Sequence, residues 1–423
     1  MKLAIKGGKK IINQKFEIYN SIGSEEVNAA KSVVESGVLS KFLGCWDEDF
    51  YGGPKVLEFE RACEKYFNVK HAITVNSWTS GLIAAVGAVD IEPGDEIITS
   101  TWTMCATATA ILHWNAIPVF ADIDRDTFNI CPKSVEKNIT PYTKAILAVD
   151  IFGQSCDIIE LSKIAKKYNL KLITDTAQAP GTIYNNKPTG TLADVGGFSL
   201  NYHKHIHTGE GGVLVTNDSK INEKLQLIRN HGEAVVKDKG VTKINNIVGY
   251  NFRLGEIECA IGIEQLKKLS KFVKSRQEIA SKLNIGLSQL KGLQIPVVNS
   301  NSSHAYYVYP IILDINKLGV SRSEIVKALI AEGVEGLMEG YANIHMLPMY
   351  QEKIAYGSNG FPWTSDICKR EVDYSHGICP VAEELHETSF LGYEMCLHSL
   401  KDSDVELIIK AFQKVWLNLH ELK

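Results

Sequence analysis

Between residues 71 and 217 the chain alternates short apolar runs with amphipathic stretches, and this alternation is what most limits the fold. The apolar runs are His71–Val75, Glu96–Thr99, Ile117–Asp122, Ala145–Asp150, Leu172–Asp175, Val195–Leu200 and Val213–Asn217. Between them lie stretches of helical period at Thr79–Ala88, Met104–Leu112 and Ile158–Tyr168. Strands buried on both faces read as continuous apolar runs, and strands that alternate with helices pair in parallel. The expectation is an α/β fold, a mainly parallel central sheet between helices. Ligands in such folds sit beyond the carboxyl ends of the strands, so the polar residues that close each strand become the candidates for chemistry.

The flanks follow a different pattern. A helix is expected at Ser24–Glu35, and another opens after Tyr51 with Pro54 in its first turn, where a missing N–H costs nothing. Further helices are expected at Ile221–Arg229 and from Glu256 to about Leu290. Gly292–Ser303 is loop-like and separates residues 1–290, an N-terminal segment plus a large α/β domain, from residues 291–423. The latter restarts with a strand at Tyr306–Leu313, a helix capped by Ser321 and a final amphipathic helix at Ser403–Leu419, which reads as a small α+β domain.

A formal net charge of −4 offers no basic field for nucleic acid. No apolar run has the length of a membrane span, and the opening residues lack the apolar core of a secretory leader. Nine scattered cysteines with no C-x-x-C pair suit reduced thiols in the cytoplasm and no metal site.

Five strand-end features then stand together. Asn76-Ser-Trp-Thr-Ser-Gly81 joins a strand to a helix, where Trp78 and Thr79 offer the free N–H groups of a helix start to an anion. Asp175 ends a strand, with Gln178 three residues on; a buried carboxylate calls for a cationic partner such as a protonated pyridine. Ser199 lies five residues before Lys204, which sits on a polar turn between His203 and His205 and ahead of Gly209-Glu-Gly-Gly212. A lone loop lysine is ordinarily a surface residue. On a tight turn between buried strands, desolvation would lower its pKa and free the amine for Schiff-base chemistry. Gly249-Tyr-Asn-Phe-Arg253 adds an amide, Asn251, and a guanidinium. Phosphate anchors, a carboxylate, a hydroxyl and an amine in this order are what pyridoxal phosphate requires.

The run Ser199-x-x-x-x-Lys204-x-x-x-x-Gly209-Glu-Gly-Gly212 resembles the signature of the DegT/DnrJ/EryC1/StrS family, the sugar and cyclitol aminotransferases of pyridoxal phosphate fold type I. The likeness extends from Gly52-Gly-Pro54 to Cys379-Pro-Val-Ala-Glu-Glu384. It implies that Lys204 forms a Schiff base with the cofactor and later shuttles the proton, that Asp175 pairs the pyridine nitrogen, and that Gln178 contacts the ring oxygen. Trp78 (through its amide), Thr79 and Ser199 would hold the phosphate. Asn251 would reach the phosphate of a neighbouring subunit, in a homodimer with shared active sites. One departure concerns the residue stacked on the cofactor ring: an ungapped match puts Met104 there, and Trp102, two residues earlier, is favoured. The flanking histidines are read as substrate contacts.

The resemblance implies transfer of an amino group from glutamate or glutamine to the keto group of a nucleotide-linked sugar or cyclitol, with pyridoxamine phosphate as the intermediate cofactor form. A deoxysugar dehydratase of the same family is the nearest rival, and Lys204 argues against it, since those enzymes carry histidine there or an added iron–sulfur site. A regulatory protein that binds the cofactor without turnover is the other, and the complete set of cofactor residues argues against that.

Overall fold

The structure is a computed structural model that describes residues 2–242 and 244–423. Its centre is a seven-stranded sheet with strands β1 His71–Val75, β2 Glu96–Ser100, β3 Ile117–Ala121, β4 Thr143–Val149, β5 Lys171–Asp175, β8 Val195–Ser199 and β9 Gly212–Thr216. The two short strands β6 Ile183–Tyr184 and β7 Lys187–Pro188 form a separate hairpin. The order across the large sheet is β1-β9-β8-β5-β4-β2-β3. β9 runs antiparallel to both its neighbours, and the remaining pairs are parallel, so the expected mainly parallel sheet is present.

Side chains alternate between the two faces of each strand. Ala145 and Leu147 of β4 enter one core, whereas Ile146 and Ala148 enter another. Helices cover both: α1 Ser24–Ser36, α2 Pro54–Phe67, α3 Trp78–Ala88, α4 Ala106–His113, α5 Pro132–Lys137, α6 Ile158–Tyr168, α7 Ser219–Arg229 and the 32-residue α8 Glu256–Leu287. Helix α6 shows the local logic. The Asp157 side chain caps it by accepting from Glu160 N at 3.3 Å, Ile158, Leu161, Ile164 and Ala165 form its buried stripe, and Asn169 closes it in the left-handed conformation. Helix α4 starts two residues later than the sequence pattern indicated, at Ala106, because Met104 and Cys105 stay in the preceding turn.

A four-stranded antiparallel sheet forms a smaller second body, with β10 Leu293–Gln294, β11 Val308–Leu313, β12 Leu337–Glu339 and β13 Phe390–Glu394 in the order β10-β11-β13-β12. Its core also takes in Leu3, Ile12 and Phe16 from the N-terminal segment, Ala280, Leu283 and Leu287 from the end of α8, and helices 322–331 and 402–417. Glu332, fully buried, accepts from the amides of Ala4 (2.8 Å) and Ile11 (3.1 Å) and pairs with Lys414 at 2.8 Å, and the Lys414 Nζ also donates to the carbonyl of Lys9 at 2.7 Å. This buried pair is hydrogen-bonded on both sides, as burial of charge demands.

Candidate active site

The carboxyl ends of β1, β5 and β8 and the start of β9 meet at one edge of the sheet. Val75 and Ser199 flank Gly212 on either side, and Asp175 lies opposite Gly197. The residues that the sequence singled out on these strands are thus brought together by register.

Asp175 is 5% exposed, and both of its carboxylate oxygens are held. The Trp78 indole donates Nε1–H to Oδ1 at 2.7 Å, Thr107 donates its hydroxyl to Oδ2 at 2.8 Å, and the Ala177 amide reaches Oδ1 at 3.2 Å. The indole reaches Asp175 because three glycines clear its path. A Cβ at Gly197 would lie 2.4 Å from the far edge of the ring, one at Gly81 would lie 2.8 Å from it, and one at Gly212 would stand 3.0 Å from the Trp78 Cα. Sequence reasoning assigned only the backbone of Trp78 and overlooked Thr107. The signal for the indole was the glycine at each facing position, legible only once the strands are paired.

Gln178 is clamped: its Oε1 accepts from the Phe152 amide at 2.8 Å and its Nε2 donates to the Tyr341 hydroxyl at 3.0 Å. Burial pushes the Tyr341 phenol up to about 12, so it stays protonated. One Nε2–H remains for a further partner.

Lys204 is 8% exposed and has no hydrogen-bond acceptor or ion-pair partner among the described residues. Its Nζ lies over the Tyr307 ring, 4.4 Å from the centroid. Burial pulls its pKa from the ordinary lysine value down to about 8, against the attraction of Asp175 and the Cys396 thiol, which act in the opposite sense. A buried amine of that kind is a proton carrier near neutral pH and a nucleophile once deprotonated.

At the head of α3 the Ser77 hydroxyl accepts from Ser80 N at 3.1 Å, and the first-turn amides of Trp78 and Thr79 have no intrahelical partners. Thr79 is exposed, and Ser199 is buried with its hydroxyl accepting from Asn201 N at 3.3 Å. Asn251 is exposed; its Oδ1 accepts from Arg253 at 2.8 Å, and its backbone carbonyl accepts from the Asn76 amide group at 3.1 Å.

Two expectations need correction. Trp102 is fully buried, enclosed by Phe390 (5.3 Å between centroids), Tyr341 (5.8 Å) and Phe128 (6.3 Å), so it presents no open face for stacking. In the same segment Met104 is 58% exposed. His205 is also fully buried and cannot touch a substrate, whereas His203 is exposed.

The model of the DegT/DnrJ/EryC1/StrS aminotransferase family matches residues 24–381. The chain is 36% identical to the spore coat polysaccharide biosynthesis protein SpsC of Bacillus subtilis, over 82% of this chain and 88% of that protein. It is 35% identical to the GDP-perosamine synthase of Caulobacter vibrioides, over 73% of this chain and 82% of the synthase. Among solved structures, the aminotransferase from Psychrobacter cryohalolentis superposes with a TM-score of 0.81 at 26% identity, covering 96% of this chain and all of that one. Helicobacter pylori PseC, an aminotransferase involved in pseudoaminic acid biosynthesis, gives 0.77 at 28% identity over 96% of this chain and 100% of its own. With Lys204, Asp175 and the head of α3 gathered at one sheet edge and this likeness spanning nearly the whole length, the chain belongs to the DegT/DnrJ/EryC1/StrS aminotransferase family.

Proposed function

We propose that the protein uses pyridoxal phosphate to move an amino group from glutamate or glutamine to the keto group of a nucleotide-linked sugar or a cyclitol. The observation that carries the reading is Lys204, a buried lysine with no ion-pair partner among the described residues and an amine poised near neutrality, together with the buried Asp175 carboxylate, both of whose oxygens are held. Leaving a cation buried and unpaired is costly, and covalent use of the amine removes that cost. The donor set fits the cofactor: an amine, a carboxylate for the ring nitrogen, and a helix start with free amides for the phosphate.

Bound there, pyridoxal phosphate supplies an electron sink for the bond-breaking at the donor's α-carbon. The residues supply the rest. Lys204 would hold the cofactor through Nζ and, with that amine free again, would take up the proton released from the donor's α-carbon. Asp175 would pair with the ring nitrogen and keep a proton on it by charge. Gln178, held by Phe152 and Tyr341, has one N–H left that would donate to the ring oxygen. Trp78 and Thr79, through their amides, and Ser199, through its hydroxyl, would anchor the phosphate. Met104, 58% exposed, is the side chain we place against the ring in preference to the fully buried Trp102. We further read the exposed Asn251 as serving the phosphate of a partner subunit, which makes the active form a homodimer. Support comes from its Oδ1 being tied to Arg253, which leaves its NH2 group to donate outward.

The likeness to GDP-perosamine synthase and to a putative L-glutamine:3-amino-2,3-dideoxy-scyllo-inosose aminotransferase of Streptomyces kanamyceticus, 30% identical over the whole chain, supports a sugar or cyclitol acceptor. The test is spectroscopic. Purified protein given pyridoxal phosphate should develop a visible band that glutamate or glutamine bleaches. Lys204→Ala should lose both the band and the turnover while still binding pyridoxamine phosphate. A Lys204→Ala protein with normal turnover would refute the assignment.

A further inference from the structure

His205 follows Lys204 in the turn and is completely buried. Its Nε2 lies 3.2 Å from the carbonyl oxygen of Gln178. A carbonyl only accepts, so Nε2 carries the proton and Nδ1 keeps its lone pair. Nδ1 faces the Cys396 thiol, whose sulfur is 3.9 Å away and serves as the donor. Burial holds the ring well below the ordinary histidine range, in keeping with a neutral imidazole.

The backbone of the same residue is held separately. The Tyr19 hydroxyl donates to the His205 carbonyl at 2.6 Å. Tyr19 is itself fixed, since its amide donates to Leu397 O at 3.1 Å, Ser399 N donates to Glu17 O at 2.8 Å, and the Arg276 guanidinium lies 4.5 Å from its ring centroid. One residue after the reactive amine, the chain is therefore tied from two directions. The ring reaches the segment that carries Asp175 and Gln178, and the carbonyl reaches the N-terminal segment packed on the smaller body.

We infer that His205 is a positioning residue: as the Nε2–H tautomer it fixes the Lys204 turn against the Asp175–Gln178 segment, with Tyr19 as the second anchor. An apolar side chain of similar size would fill the space but would lack the directional bond to Gln178. Reactive geometry is steep in distance, with a misplacement of about 1 Å able to cost about 100-fold. The charged and titratable groups around the turn include Asp175, Cys396, His203, Glu210, Arg276, His304, Tyr19, Tyr202 and Tyr307, and none of them need change for the effect.

The inference rests on the reading of Lys204 given above, but its test does not. Full-length protein without cofactor is exposed to trace acetic anhydride across a pH series, and acetylation of Lys204 is read by mass spectrometry. His205→Leu keeps bulk without a donor, His205→Gln can place an amide N–H where Nε2 stands, and Tyr19→Phe deletes only the second anchor. His205→Leu should move the labelling midpoint upward by about one pH unit as the turn hydrates. With cofactor, its kcat should fall about 10- to 100-fold at little-changed KM for the amino donor. His205→Gln should restore both, and Tyr19→Phe should shift the profile in the same direction by less. A wild-type profile and kcat in His205→Leu, or a His205→Gln that behaves as His205→Leu does, overturns the inference. Should His205→Leu fail to fold, Tyr19→Phe decides, and an unmoved profile there overturns it equally. If the wild-type protein forms no visible band with pyridoxal phosphate, the functional reading falls while the labelling profile still judges His205.

Discussion

Replacing Trp78 with phenylalanine keeps an aromatic ring in the glycine-walled slot and deletes one N–H. That N–H is the shortest of the three that hold Asp175, at 2.7 Å. A hydrogen bond to a charged group contributes about 1.5–3 kcal/mol. At about 1.4 kcal/mol per tenfold, its loss should weaken pyridoxal phosphate binding by roughly 10- to 150-fold. Two effects overlap and have to be separated. The smaller ring also leaves a void between Gly81, Gly197 and Gly212, which lowers the stability of the protein with or without cofactor, because the lost packing is the same in both. The lost bond to Asp175 is felt most when the cofactor closes the site and the freed oxygen can no longer find water. The assay is therefore paired: thermal melts without cofactor give the packing loss, and spectroscopic titration with pyridoxal phosphate gives the carboxylate loss. Thr107→Val, which removes the 2.8 Å bond to the other oxygen without opening the slot, should weaken binding with a smaller change in the cofactor-free melt. A Trp78→Phe protein that binds pyridoxal phosphate within about twofold of wild type would refute the view that the indole orients Asp175, because even the low end of that range exceeds twofold.

Gly197→Ala should be among the most damaging one-carbon changes in the sheet, since its Cβ would sit 2.2 Å from the Val213 carbonyl oxygen and 2.4 Å from the Trp78 ring. Overpacking of this kind costs about 1–3 kcal/mol, and an unshifted melting temperature would contradict the placement of the indole. Acid should destabilise the protein from about pH 6.5 downward. His304, fully buried, accepts from Tyr306 N at 2.8 Å, and burial pushes its pKa down to about 3. A histidine whose folded pKa is depressed binds its proton preferentially when unfolded, so stability is full above the unfolded value of about 6.5 and is lost as pH falls toward 3. Melting temperature against pH should therefore fall on the acid side, and His304→Gln should flatten that limb; identical slopes in the two proteins would discount His304.

What could be read in advance was whatever depends on near neighbours in sequence. The apolar runs located the strands of the large sheet, the stripe of Ile158, Leu161 and Ala165 located its helix, strand ends located Asp175 and Ser199, and the polar turn between two apolar runs located Lys204. The antiparallel insertion of β9 between β1 and β8 was not legible, because Val213–Thr216 has the same apolar character as the parallel strands of the sheet. Trp102 and Met104 were misjudged for a related reason. Both are apolar and two residues apart, and only the arrival of Phe390 and Tyr341 from the distant second body decides which one is enclosed. The support beneath the site was hidden for the same cause. Trp78 meets Asp175 across 97 residues, and Tyr19 meets His205 across 186.

The Glu332–Lys414 pair has a consequence in time. Lys9 is made well before Lys414, whose Nζ it accepts, and the two are separated by 405 residues. At about 5–20 residues per second, a ribosome takes roughly 20 to 80 s to cover that interval. Until nearly the end of it, the core that Leu3, Ile12 and Phe16 enter lacks Val405, Ile408, Phe412 and Val415, and Glu332, once made, has no Lys414 to pair with. The large sheet, all of whose strands precede residue 217, can collapse long before. The contacts that join the N-terminal segment to the 402–417 helix therefore form only once synthesis is nearly complete. A chain interrupted before the 402–417 helix would carry a complete cofactor edge on a body that still shows its loose end to proteases and chaperones.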